Sequence, residues 1–235
     1  MRQFATYVRV APSVRAFGAR RRPPRPGLSV CLRLVGLVAL VGLMAMPMTT
    51  PSAPAGDAPP PEALVARMRA AFAQLDDYAC RLVERSFKRA DEFSESDYSF
   101  KKPHLIKLVG RAGRSRGAVV VLGQDGKPSL RKNGFPVPTF LAREDLRDFA
   151  RSDFGSLIEE ITQMIASGAA ATVAAQGDAY ALALTRGCVT RRYLVDARLS
   201  LPIELREAAD GAPVSLTEWR DLRLNVGLTE AVFRP

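Results

Sequence analysis

The sequence predicts an α+β domain in which helices cover one face of an antiparallel sheet. Three observations support this fold class. The segment after residue 61 has the apolar spacing of an amphipathic helix, short strand-like runs fill both halves of the chain that follows, and a second helical segment separates them. Because strands that follow one another along a chain usually pair as neighbours, this order favours antiparallel hairpins covered by helices.

The opening helix is predicted from residue 62 onward. Its apolar residues recur at spacings of one, three and four, which places them on one helical face. They are Leu64, Val65, Met68, Ala71, Phe72 and Leu75.

The first group of strands is predicted in residues 78–88, 98–100, 105–109 and 118–122. Glycine-rich and polar turns separate these runs, as expected for hairpins. The acidic run 91–97 lacks the central glycine and the spacing of a calcium-binding loop, so we expect a solvated hairpin tip there.

Two helices are expected in the middle of the chain, at 143–150 and 154–165. Asp153 is placed to cap the second helix, and Gly168 suits its C-terminal end. Period-two patterning then returns at 180–185, 189–195, 202–207 and 214–224, which indicates a β-meander.

Residues 1–55 have the composition of an export signal. They contain eight arginines, no lysine and no acidic residue, followed by an apolar run at 34–48 and small residues at 52–55. We expect cleavage after Ala55 and a periplasmic protein; the alternative is an inner-membrane anchor through residues 28–48. Residues 56–61 then read as a proline-rich tether, and residues 62–235 as one domain.

The position of the charges argues against nucleic-acid binding. The whole chain carries a net charge of +10, but the part after position 55 contains 26 basic and 24 acidic residues and so has a net charge of only +2. A nearly neutral surface offers little attraction to a phosphate backbone. Membrane contact is expected only through the leader or during cargo exchange.

Several short patterns resemble the lipoprotein carrier (LolA-like) family, and they fall within residues 62–233. The meander contains Val195-Asp196, Leu201-Pro202 and Asp210-Gly211, with a terminal Phe233, and Phe100-Lys-Lys-Pro103 precedes two earlier strands. The resemblance implies a strongly curved sheet, an open half-barrel whose mouth is closed by helices over an apolar cavity. It also implies a carrier or sensor of lipid or lipoprotein acyl chains. The alternative is an envelope protein-interaction or stress-regulatory module with a filled core.

Alternation along the strands predicts a candidate acyl-chain site on the sheet face that the helices cover. The residues expected to share this face are Ile106, Leu108, Leu182, Leu184, Ile203 and Leu205. The loop that follows the strand at 105–109 carries Arg111, Arg114 and Arg116, which are candidates for contact with an anionic headgroup.

The residues give little support for catalysis or for a cofactor. His104 is the single histidine, so a nucleophile–histidine arrangement has one candidate base, at a strand entrance. Cys80 and Cys188 lack a C-x-x-C spacing, and no metal site is predicted. In an oxidising compartment they could form a disulfide, and the alternative is two reduced thiols.

Overall fold

The computed structural model describes residues 58–88 and 92–234. Three α-helices are present: α1 (Pro61–Ala73), α2 (Arg143–Phe149) and α3 (Phe154–Ala166). Short 3-10 helices occupy Thr139–Ala142 and Glu230–Phe233. The strands before the helical segment are β1 (Asp77–Ser86), β2 (Glu92–Lys101), β3 (Leu105–Gly113), β4 (Ala118–Leu122), β5 (Pro128–Lys132) and β6 (Phe135–Val137). Those after it are β7 (Ala170–Gln176), β8 (Ala179–Arg186), β9 (Val189–Asp196), β10 (Pro202–Ala209) and β11 (Ala212–Leu224).

All eleven strands form one antiparallel sheet in the order β6-β5-β4-β3-β2-β1-β11-β10-β9-β8-β7. Strands that follow one another in sequence pair, except β6 and β7, which form the two edges, and β1 pairs with β11 at the centre. The antiparallel α+β expectation is therefore confirmed. The half-barrel is not confirmed, because the sheet is not strongly curled.

The strand order explains why helices cover the sheet. The chain leaves β6 at one edge and re-enters at β7, the opposite edge, ten strand spacings away. At about 4.8 Å per spacing this is roughly 48 Å across a flat sheet. The segment containing α2 and α3 must make this crossing, and its apolar side chains pack on the face beneath it.

The helix ends follow local chemistry. The Asp153 carboxylate accepts hydrogen bonds from the Ser156 backbone N–H at 3.0 Å and from its hydroxyl at 2.6 Å, and Gly168 follows α3 at a φ of +83°, both as predicted. The first residue of α1 is Pro61. Proline suits that position, since the first helical N–H has no partner within the helix.

The acidic run 92–97 belongs to β2 and is not the hairpin tip that the sequence predicted. Arginines on the neighbouring strands stabilise it in the sheet. Arg81 of β1 pairs with Glu95 at 3.3 Å, and the Nε of Arg111 in β3 donates to Asp97 at 2.6 Å. Acidic residues at alternate positions of β2 are thus paired with basic residues of the two adjacent strands.

One continuous hydrophobic core lies between the helices and the sheet face that they cover, here called the inner face. A smaller cluster, Leu105, Val121 and Phe233, attaches the C-terminal 3-10 helix to the opposite face. Asp77 of β1 holds the segment between β11 and this 3-10 helix. Its buried carboxylate accepts hydrogen bonds from the backbone N–H groups of Val226 and Leu228, at 2.7 and 2.8 Å.

The predicted leader, residues 1–55, lies outside the described residues, as do its cleavage site and the alternative anchor. Among the described residues, no helix has the length and apolar character needed to cross a membrane.

Candidate functional site

The predicted acyl-chain residues mostly lie together on the inner face. Each of five side chains is at most 4% exposed and belongs to the core between the helices and the sheet. They are Ile106, Leu108, Leu182, Leu184 and Leu205. Their contacts are with the protein's own side chains.

Ile203 departs from the predicted alternation. The register between β9 and β10 shifts between Pro202 and Glu204, so Ile203 is the extra residue of a β-bulge. It is half-buried and lies outside the core cluster. Because a bulge inserts one residue, the period-two rule cannot be carried across it.

Stacked aromatic rings fill the space between α3 and the centre of the sheet. The ring of Tyr78 lies 4.6 Å from that of Phe154, 5.0 Å from Phe100 and 5.9 Å from Tyr98, centroid to centroid. Phe154 also contacts Trp219 at 5.7 Å. An apolar ligand would have to displace these rings to reach this part of the face.

Two buried tyrosine hydroxyls fasten the start of α3 to β1 and β2. The Tyr78 hydroxyl accepts a hydrogen bond from the Phe154 N–H at 3.2 Å, and the hydroxyls of Tyr98 and Ser152 are 3.0 Å apart. Burial raises the pKa of both tyrosines well above the ordinary value. Both therefore remain neutral hydrogen-bonding groups.

A buried arginine of β9 links the middle of α3 to the sheet. Arg191 of β9 contacts Glu207 of β10, with its Nε 2.8 Å from the carboxylate, and it also pairs with Glu160 of α3. Burial lowers the pKa of Arg191, but neighbouring Tyr193 and the two carboxylates raise it, and the net direction is upward. The arginine stays charged and links the helix to two strands.

A shallow pocket of about 200 Å³ lies between α1 and α3. Its lining consists of Arg69, Phe72, Ala73, Gly155, Ile158 and Glu159. Arg69 spans the two helices by donating to the Thr162 hydroxyl at 2.7 Å and by pairing with Glu159 at 3.8 Å. Ligand pockets usually measure at least about 300 Å³, so this one is small even for a compact ligand.

Close helix packing limits the size of this pocket. A Cβ atom added at Gly155 would lie 2.5 Å from the Phe72 ring. Glycine at the start of α3 therefore allows the two helices to approach more closely than any other residue would.

The three candidate headgroup arginines lie at the end of β3 and in the turn that follows, outside the inner-face core. Two of them have carboxylate partners within the sheet. Arg111 pairs with Asp97, and Arg114 pairs with Glu92 at 2.6 Å. Arg116 is exposed in the turn.

Of the two alternatives for the cysteines, the structure has the reduced thiols, since Cys80 and Cys188 are both free. Cys80 is buried in β1, and Cys188 is exposed in the β8–β9 turn, three strands away. Three spacings amount to roughly 14 Å, well beyond the distance that a disulfide spans. Burial, and to a lesser degree Asp97, raises the pKa of Cys80 to about 12.

The single histidine, His104, lies beside the residue that caps α3. Its Nδ1 lies 4.0 Å from the Asp153 carboxylate, which is already engaged in capping α3. Within the described part of the chain, no group of three histidine, cysteine or acidic side chains could hold a metal ion.

The sequence reasoning missed β7, an edge strand. Its seven residues, Ala-Ala-Thr-Val-Ala-Ala-Gln, pair with β8 along one side, and no described strand pairs with the other side. Alanine has a low strand propensity, which hid the segment. The central Thr172-Val173 pair and the flanking Gly168 and Gly177 were the available signal.

Comparison with solved structures supports the fold. MucB matches with a TM-score of 0.51 and 16% identity over 74% of this chain and 62% of that chain. The lipoprotein LppX of Mycobacterium tuberculosis gives 0.44 and 12% over 72% of this chain and 98% of that one. A LolA superfamily protein from Nitrosomonas europaea gives 0.38 and 10%, over 74% and 97%.

The similarity to MucB is a similarity of fold, and at that level the predicted resemblance is confirmed. This chain spans about 60% of the length of the MucB chains that it matches. No protein-family model and no curated protein matches the sequence.

Proposed function

We propose that this chain is a non-catalytic protein-binding module of the bacterial cell envelope, which holds an extended segment of its partner as an added strand along β7. The packing of the inner face carries the proposal. Aromatic rings fill the centre of that face, and polar contacts hold α3 against it at its first residue and at its middle. A filled core supports the interaction module over a carrier with a standing cavity.

The β7 edge has the features of a strand-addition site. Unpaired strand edges attract other chains, and proteins usually protect them with charged residues, proline or a short strand. The opposite edge, β6, is protected in this way, since it has three residues and includes Pro136. In contrast, β7 has seven residues without a charge or a proline, and five of them are exposed. A partner strand would satisfy its free backbone groups.

The envelope location rests on the predicted export signal. A protein partner is in keeping with MucB, whose structure has also been determined in complex with MucA(peri). Only the class of partner, an envelope protein with an extended segment, is carried over to this chain.

Native mass spectrometry of the full chain expressed in its own envelope tests the proposal. We expect a stoichiometric polypeptide partner with the wild type and its loss with Thr172→Lys, which places a charge on the open edge. Ala212→Lys is the matched control, because it adds a lysine at an exposed position of β11, a strand that is paired on both sides. Equal partner recovery with both variants would refute strand addition at β7.

The second candidate is the acyl-chain carrier, and the α1–α3 pocket favours it. Phe72 and Ile158 give this pocket an apolar lining next to the core. An acyl chain would fit only if α1 and α3 moved away from the aromatic rings. A lipid adduct in the same spectra, together with saturable binding of a fluorescent fatty acid, would favour the carrier over the protein-binding module.

A further inference from the structure

Three neighbouring hairpin turns lie side by side at one end of the sheet. They connect β1 to β2, β3 to β4 and β5 to β6, whereas the β2–β3 and β4–β5 turns lie at the opposite end. We call the described residues of these turns, 87–88, 92, 113–117 and 131–135, the turn rim.

The two outer turns of the rim display large apolar side chains. Phe87 follows β1 and is 52% exposed, and Phe135 begins β6 and is 75% exposed. Phe87 continues β1 and Phe135 lies in β6, and these two strands are five spacings apart, which is roughly 24 Å. Two exposed rings at that separation cannot share one pocket, but both can meet a flat surface.

The rim is also strongly basic. Its 13 residues include five basic residues and one acidic residue, a net charge of +4, although all of residues 56–235 together carry only +2. Lys88 and Arg116 are exposed, and the Lys132 ammonium donates a hydrogen bond to the Arg116 carbonyl. This contact joins the middle turn to the outer turn that carries Phe135.

We propose that the turn rim docks on an anionic lipid bilayer, with Phe87 and Phe135 inserted at the interface and the basic side chains on lipid phosphates. Exposed aromatic rings flanked by lysine and arginine are the combination that holds proteins at membrane interfaces. The charge favours a lipid surface over a protein partner, because each of the three turns of the rim carries at least one basic residue. This docking does not depend on the proposed function.

Tryptophan quenching by brominated lipid tests the docking locally in the full chain. Phe87→Trp and Phe135→Trp place a reporter on the rim. Phe140→Trp is the matched control, because Phe140 is 74% exposed but lies beyond the far end of β6. The native Trp219 is buried in the core and gives a constant background. Vesicles contain equal parts of brominated phosphatidylcholine and phosphatidylglycerol, or brominated phosphatidylcholine alone.

We expect quenching of both rim reporters on the phosphatidylglycerol vesicles and no quenching of the control. Removing two charges by Arg116→Gln with Lys132→Gln should raise the lipid concentration for half-maximal quenching about 25-fold, since each basic residue contributes about fivefold. Absence of rim quenching would overturn the proposal and would point to a protein partner for the exposed rings. Equal quenching at all three positions would also overturn it, because another segment would then hold the chain at the bilayer.

Discussion

Replacing Arg191 by methionine should destabilise the fold strongly, because the change removes the cation beside a buried carboxylate. The side chains of Arg191 and Glu207 are 3% and 4% exposed, with 2.8 Å between Nε and the carboxylate oxygen. Removing one partner of such a pair usually costs about 3–5 kcal/mol. The same change removes the link to Glu160 of α3, so the upper part of this range is expected.

Urea denaturation followed by the fluorescence of Trp219 measures this cost directly, since Trp219 is the only tryptophan and is buried in the core. The second variant, Arg191→Met with Glu207→Met, removes both charges and should recover most of the lost free energy of unfolding. A single substitution that costs under about 1 kcal/mol would refute the reasoning. So would a double variant no more stable than the single one.

Three further outcomes follow from the structure. Burial raises the pKa of Glu84 to about 7, although a hydrogen bond from Ser94 lowers it. The carboxyl therefore favours folding below its ordinary pKa and loses that contribution as the pH rises to about 7. Glu84→Gln should increase the free energy of unfolding by up to about 3 kcal/mol at pH 8 and by little at pH 4, measured by urea denaturation at each pH. Gly110→Ala should destabilise the protein by more than about 3 kcal/mol, since its Cβ would lie 1.7 Å from the Ser115 carbonyl oxygen; thermal unfolding measures this. Thiol labelling with peptide mapping should modify Cys188 rapidly in the folded protein and Cys80 only after unfolding.

Each of these outcomes has a clear contradiction. A Glu84→Gln variant with the pH dependence of the wild type would show that this carboxyl titrates normally. Wild-type stability of Gly110→Ala would mean that the β3–β4 turn relaxes freely. A peptide that links Cys80 to Cys188 would restore the disulfide that the structure excludes.

The strands differ in how clearly the sequence predicts them. The β8–β9 and β10–β11 hairpins were predicted because apolar residues alternate along them and turn residues end them. The alanine-rich β7 was missed because alanine carries no strand signal, although it becomes the edge of the sheet and the proposed partner site. Alternation along β10 predicts Ile203 on the inner face, but a bulge interrupts the alternation at this residue. The bulge arises from the pairing of β10 with β9, which the sequence of β10 does not show.

Local patterns in the sequence specify the α+β class, the helix limits at Asp153 and Gly168, and the inner-face side of most strands. These depend on periodicity, capping and alternation, which are properties of neighbouring residues. Tertiary contacts specify that the inner face is filled, that Arg191 joins α3 to two strands, and that three turns distant in sequence lie at the same end of the sheet. Those features depend on contacts between residues far apart in the chain, and local patterns carry no information about the distances between them.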